Sequence, residues 1–372
     1  MNNIFKIEID HKRIFGLDIL RALAILFVII QHGSSLLPDE IRYFYDLFVF
    51  DGVSIFFVLS GFLIGGILIK LINEKGIKLS VFKYFLIRRW FRTLPNYFLI
   101  LITLSFLHFF FEEGFTFSSI SSFFIFSQNI FKAHPSIFFP EAWSLSVEEW
   151  FYLIIPILIG LLTFTQNKSY KRGVFFTCIL VIVLVTLFRS YRYFTVSIID
   201  WDLIFRKQVV TRLDSLMFGV LGAYINYYYK SIWIKYKLKL FLIGILLFTI
   251  SKFIIPKFVI ENGIYQCIFS FTLISIATLL LLPYLSELKT GKGFLFKPIT
   301  YLSLTSYSMY LINLSIIRRW ILSNIPWTYF TDNNSVLVIS QYVAYWILVI
   351  SLSILIYKYF EIPITNLRDK IK

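Results

Sequence analysis

The sequence predicts an all-α protein, a polytopic membrane helical bundle of about ten spans, and three observations carry that prediction. Hydrophobic residues make up 58% of the 372-residue chain and charged residues only 15%, where a globular chain is about a quarter charged. Apolar runs of spanning length recur at about 17–36, 51–71, 93–111, 145–165, 173–191, 211–229, 239–256, 263–284, 299–321 and 336–358, and only helices or closed barrels satisfy their own backbone in hydrocarbon. The basic residues fall in alternate short loops: with the N-terminus inside, 24 of the 36 Lys and Arg residues lie in inside segments, 11 outside, and Arg21 within a helix. That is the positive-inside pattern, and it predicts both termini in the cytoplasm. One integral membrane domain over 1–372, with no soluble appendage, is the expected organisation.

The net charge of +15 therefore belongs to membrane topology. No basic soluble domain is present to hold a nucleic acid, so the expected surrounding partner is a lipid bilayer. Cys178 and Cys267 lie in apolar runs, and His11, His32, His108 and His134 are not spaced as ligands, so no disulfide and no metal site is expected. Residues 115–130 are apolar but short and serine-rich. A full crossing there would invert the charge bias of every later loop, so the expectation is an interfacial or re-entrant segment on the outer side.

The first span, GLDILRALAILFVIIQHG (16–33), holds three ionisable side chains, Asp18, Arg21 and His32. Such groups are costly in lipid and face a bundle interior or a wet cavity. Arg21 and His32 are 11 residues apart, which returns to nearly one helix face roughly 16 Å further along the axis. Asp18 is placed to pair with Arg21. The stripe reads as the wall of a polar path through the membrane, or as an internal ion pair with a structural histidine.

The second span opens DGVSIFFVLSGFLIGG (51–66), where small residues either let helices approach or, at Ser60 and Gly61, open room for a ligand. YFLIRRWFRTLPNY (84–97) sets Arg88 and Arg92 one turn apart with Arg89 beside them. Three guanidinium groups there suit a polyanion such as a nucleotide phosphate, or anchoring to anionic lipid.

In EAWSLSVEEWFYLIIP (141–156), Glu148 and Glu149 open a span between Trp143 and Tyr152. Adjacent carboxylates cannot face one way on a helix, so one is expected inward, able to orient His32, and the other at the water interface. Acids favoured by a helix N-terminus are the plainer reading. Arg212 and Asp214 begin a later span as a structural pair or a binding pair. LTSYSMYLINLSI (304–316) brings Ser306, Tyr307, Ser308, Tyr310 and Asn313 into an apolar helix, as cavity lining or as helix glue. Glu361 and Pro363 read as a membrane exit with no chemistry.

Together these stretches resemble the acyltransferase-3 family of integral membrane acyltransferases. The likeness rests on Arg-x10-His in span one, FFVLSGFLI, RRWFRTLPNY, WSLSVEEWFYLIIP, RLDSLMFG and SYSMYLIN, in order over nearly the whole chain. The resemblance implies an O-acyltransferase of the bacterial inner membrane that moves an acyl group, by family default acetyl, from cytoplasmic acyl-CoA to a saccharide or lipid-linked saccharide. It makes His32 the catalytic residue, Arg21 its companion and Glu148 the better-matching glutamate. Arg88, Arg89 and Arg92, with Ser60, become candidates for holding CoA, and Asp18, Trp143, Tyr152, Arg212, Asp214, Tyr307 and Asn313 for lining the cavity.

Two departures stand out: Asn313 replaces a histidine found in many relatives, and the C-terminal hydrolase-like domain of some members is absent from this sequence. Two other readings are a transporter or exporter of a saccharide or small molecule, and an inactive assembly subunit; intact Arg21, His32 and Glu148 speak against the second.

Overall fold

The structure is a computed structural model that describes residues 7–10, 13–135, 137–330 and 333–368. His11 and the basic residues Lys6, Lys12, Lys370 and Lys372 lie outside them. The described residues form helices α1 (Phe15–Gly33), α2 (Asp39–Phe48), α3 (Gly52–Lys75), α4 (Leu79–Phe111), α5 (Phe117–Phe124), α6 (Ala142–Thr165) and α7 (Tyr170–Thr195). There follow α8 (Leu213–Tyr228), α9 (Lys230–Lys235), α10 (Lys237–Thr249), α11 (Ser270–Leu285), α12 (Phe296–Ile312), α13 (Asn334–Ile356) and α14 (Ile362–Leu367). Short π-helical segments extend several of them, notably Trp201–Arg206 and Asn313–Ile321.

All ten expected span positions are helical, and eight helical stretches are long and apolar enough to cross a membrane. The other two positions hold α8, of 16 residues, and α12, of 17 residues and continued by the π segment. The serine-rich segment forms only the eight-residue α5. Such a helix rises about 12 Å, well short of a bilayer core, so it does not cross.

Burial separates the centre of the bundle from its rim. The span containing α3 is 61% buried, whereas the spans of α10 and α13 are only 11% and 17% buried and turn apolar surface outward, to lipid. α1 packs between α3 and α12, and α3 crosses α8 at close range. Glycine permits that crossing: a Cβ on Gly61 would lie 1.9 Å from the Leu216 carbonyl oxygen, and one on Gly219 would lie 2.1 Å from that of Val58. Gly61 therefore serves helix contact and does not open room for a ligand.

Candidate active site

Two chambers lie along α1, and Arg21 and His32 open into different ones. The arginine chamber encloses about 810 Å³ of empty space, part of it open to solvent, bounded by α1, α3, α4, α6 and α12. Arg21, Arg89 and Arg92 line it together with Ser60, Glu148, Tyr152, Tyr307 and the apolar side chains of Phe56, Leu63 and Ile64. The histidine chamber, about 450 Å³, is lined by His32, Asp51, Glu141, Trp143, Arg206 and Lys207. Val53 and Tyr310 line both, so they stand as the partition. Tyr310 is held there by hydrogen bonds to Ser144 Oγ at 2.8 Å and to the Glu141 carbonyl at 3.1 Å. The single polar path expected from the α1 stripe is thus divided by side chains from α3 and α12.

The arginine chamber owes its charge to saturated neighbours. Asp18 does not pair with Arg21, because its carboxylate is already taken by Arg13 (Nε–Oδ2 3.0 Å) and by Ser303 (Oγ–Oδ1 2.6 Å). Glu148 accepts from Ser60 Oγ at 2.9 Å and from the Tyr152 hydroxyl at 2.6 Å. No hydrogen bond or ion pair to the guanidinium groups of Arg21, Arg89 or Arg92 occurs among the described residues, and Arg89 Nε is buried without a partner. Arg88 turns away from the chamber, donating to the Tyr84 hydroxyl at 3.1 Å and lying over its ring. Of the three arginines grouped on α4, two therefore face the cavity.

Glu149 does not reach the water interface. It is 4% exposed and accepts from Thr93 Oγ1 at 2.8 Å and Trp90 Nε1 at 3.1 Å, both on α4. The two adjacent carboxylates do point different ways, but α3 covers one and α4 the other. Neither orients His32.

That task falls to Asn313, at the start of the π segment. Its Nδ2 donates to the carbonyls of Met309 (3.0 Å) and Tyr310 (2.7 Å), which commits Oδ1 to face His32 Nδ1 at 2.6 Å. An amide oxygen can only accept, so Nδ1 carries the ring proton and Nε2 holds the lone pair. A π distortion at a helix end frees carbonyls to hold such a side chain and often marks a functional position.

The charged residues of the histidine chamber other than Glu141 are committed to one another or to Ser54 and Asp202. Asp51 Oδ2 accepts from Ser54 Oγ at 2.6 Å, and Arg206 lies 3.6 Å from Asp51 Oδ1, 3.0 Å from Asp202 Oδ1 and over the Trp143 ring. Lys207 pairs with Asp202. Glu141 is the exception: burial pushes its carboxyl up to about 7, and its Oε2 has no hydrogen-bond partner.

Arg212 and Asp214 line neither chamber. Fully buried Asp214 pairs with Arg189 at 2.6 Å, and Arg212 donates to Ser54 Oγ at 2.6 Å while lying over the Phe271 ring. Ser306 lines the arginine chamber, and the Tyr307 hydroxyl donates to the Thr93 carbonyl; Ser308 instead bonds Glu361, as helix glue. Sequence reasoning passed over Glu141, Asp51, Arg206 and Lys207. A signal existed for the last two, adjacent cations on the side counted as poor in them, and for Glu141, an acid directly before a span.

A helical membrane bundle with a cationic chamber, a second chamber holding a histidine of fixed tautomer, and no strand among the described residues defines a class of integral membrane protein. A family model described as an acyltransferase domain matches residues 14–358, and the chain belongs to that family, acyltransferase 3. A Staphylococcus aureus (strain COL) protein named "putative O-acetyltransferase" is 29% identical over 363 residues, covering 88% of this chain and 55% of that protein. The peptidoglycan O-acetyltransferase OatA of Listeria monocytogenes is 33% identical over 174 residues, 43% of this chain and 26% of its own length. The chain spans about half the length of the curated relatives it matches over most of its own length. No solved structure matches it.

Proposed function

We propose that the protein is a membrane-embedded O-acetyltransferase that takes its acyl group from acyl-CoA and passes it to a hydroxyl of a cell-surface or secreted saccharide. Three guanidinium groups that line one chamber and make no hydrogen bond or ion pair among the described residues carry this reading. Arg89 is buried, and a buried cation with no hydrogen-bonded counter-ion is costly unless an anion arrives to pair with it. The phosphates of a coenzyme A thioester are such an anion, and its arm and acyl group suit the apolar wall of Phe56, Leu63 and Ile64. The names of the relatives support acetyl as the group and a saccharide as the acceptor.

Arg89 and Arg92 hold the phosphates, with Arg21 facing them from α1. The thioester end reaches past Tyr310, whose side chain must swing aside, toward His32. His32 Nε2, unprotonated because Asn313 fixes the tautomer, removes the proton of an acceptor hydroxyl. The oxygen attacks the thioester carbon, the carbon–sulfur bond breaks, and the coenzyme thiolate leaves and takes up the proton held by His32. In a two-step variant Nε2 attacks first and carries the acyl group to the acceptor. The donor is bound from the cytoplasmic side and both chain termini lie there, as the charge distribution of the loops supports.

The test is transfer of labelled acetyl from acetyl-CoA in liposomes, with and without saccharide, by wild type and His32→Ala. Loss of the base lowers turnover about 10²- to 10⁴-fold and leaves the acetyl-CoA Kd unchanged. Label that accumulates on wild-type protein without acceptor selects the two-step route. No acetyl-CoA binding and no turnover in the wild type would overturn the reading in favour of a transporter.

A further inference from the structure

The acyl-transfer reading places a donor and a base but leaves open what grips the acceptor, and the histidine chamber holds a buried carboxyl group free to do so. Glu141 is 1% exposed. Its Oε1 accepts from the backbone N–H groups of Leu314 (3.0 Å) and Ser315 (2.8 Å) and from Ser315 Oγ (3.2 Å), which fixes the side chain against the π segment that follows Asn313. Its Oε2 is buried with no hydrogen-bond partner, on a residue that lines the chamber of His32. A buried carboxylate oxygen left unsatisfied carries a desolvation cost, so such an atom marks the place of a missing donor.

We propose that Glu141 Oε2 accepts a hydrogen bond from a hydroxyl of the acceptor and so holds a neutral, polyhydroxylated ligand against His32. This rests on the acyl-transfer reading and adds the acceptor-binding residue to it.

The ligand class follows from the rest of the chamber. Arg206 and Lys207 are the cations that line it, and both are already engaged by Asp202, Arg206 also by Asp51. An anionic acceptor would find no uncommitted cation there and would face the carboxylate of Glu141. A sugar supplies the hydroxyl donor that Oε2 lacks. The same tether that fixes Glu141 lies one residue beyond the amide that fixes His32, so base and acceptor site are registered to one stretch of backbone.

The experiment is isothermal titration of the full chain in nanodiscs with chitotetraose, and separately with acetyl-CoA. Glu141→Gln keeps one oxygen for the Leu314 and Ser315 amides and turns the free acceptor into a donor. The expected result is at least tenfold weaker chitotetraose binding with an acetyl-CoA Kd within twofold of wild type. Ser315→Ala, which trims the tether and spares Oε2, stays within threefold of wild type for both ligands. Unchanged chitotetraose affinity in Glu141→Gln, absent binding to the wild type, or an equal loss in Ser315→Ala overturns the inference, the last by showing that only the tether matters. Loss of acetyl-CoA binding together with chitotetraose binding in Glu141→Gln overturns it as well. Failure of the acyl-transfer reading itself is seen elsewhere, in a wild type that ignores acetyl-CoA while the chitotetraose result stands.

Discussion

The two chambers share α1, α3, α6 and α12 and could hardly differ more in how their charges are settled. Around the arginine chamber Asp18, Glu148 and Glu149 take their hydrogen bonds from hydroxyl or indole donors or from Arg13, so the three guanidinium groups are left without a direct ion pair among the described residues. Around the histidine chamber the cations are the committed groups and a carboxylate oxygen is left over. One site lacks an anion and the other lacks a hydrogen-bond donor. Complementarity of this kind sorts ligands before any contact is optimised, since a buried unpaired group penalises the wrong partner more than a good contact rewards the right one.

The comparison can be broken from either side. The largest effect is expected for Arg89→Gln with Arg92→Gln: each charge-assisted hydrogen bond is worth about 1.5–3 kcal/mol, so the acetyl-CoA Kd in nanodiscs rises about a hundredfold or more while chitotetraose binding holds. A matching loss of chitotetraose binding would show that the chambers are one site. Asn313→Ala comes next. It frees the His32 ring and lowers kcat by about 10²-fold or less, the cost of a misplaced base, with both KM values unchanged; a raised acetyl-CoA KM would mean that Asn313 shapes the donor site.

The smallest effect lies outside both chambers. His134, in the segment between α5 and α6, is buried, and Nε2 meets the Phe139 carbonyl at 3.0 Å. Burial lowers its pKa to about 4, below the ordinary 6.5. Between those values the unfolded chain binds a proton that the folded chain does not, so stability is full above pH 6.5 and falls as the pH drops toward 4, by at most about 1.4 kcal/mol per pH unit. Thermal midpoints of detergent-solubilised wild type at pH 7, 6 and 5 should fall more steeply than those of His134→Gln; parallel slopes would remove His134 as a source.

Helix positions were legible because hydrophobic runs declare themselves one segment at a time, and even the failure of 115–130 to cross followed from length and loop charge. Residue identities at the site were legible too: Arg21, His32, Ser60, Arg89, Arg92, Glu148, Tyr152 and Tyr307 all line one chamber or the other. Partners were not. Asp18 chose Arg13 over Arg21, Asp214 chose Arg189, 25 residues earlier, and Glu149 found α4 instead of water. Spacing along one helix shows what two side chains are able to reach, whereas the choice depends on a third group from elsewhere in the chain. The division of the α1 stripe was hidden for the same reason, since Val53 and Tyr310 come from other helices.

That partition has an electrical meaning. A continuous wet channel lined by arginine, histidine and carboxylates would conduct, and each elementary charge crossing a membrane at 100 mV dissipates about 2.3 kcal/mol. Val53 and the Tyr310–Ser144 pair replace the middle of such a channel with a short insulating layer. In the proposed enzyme, only the thioester end of the donor needs to pass that layer. A cell could then carry many copies of the protein in an energised membrane without shorting it.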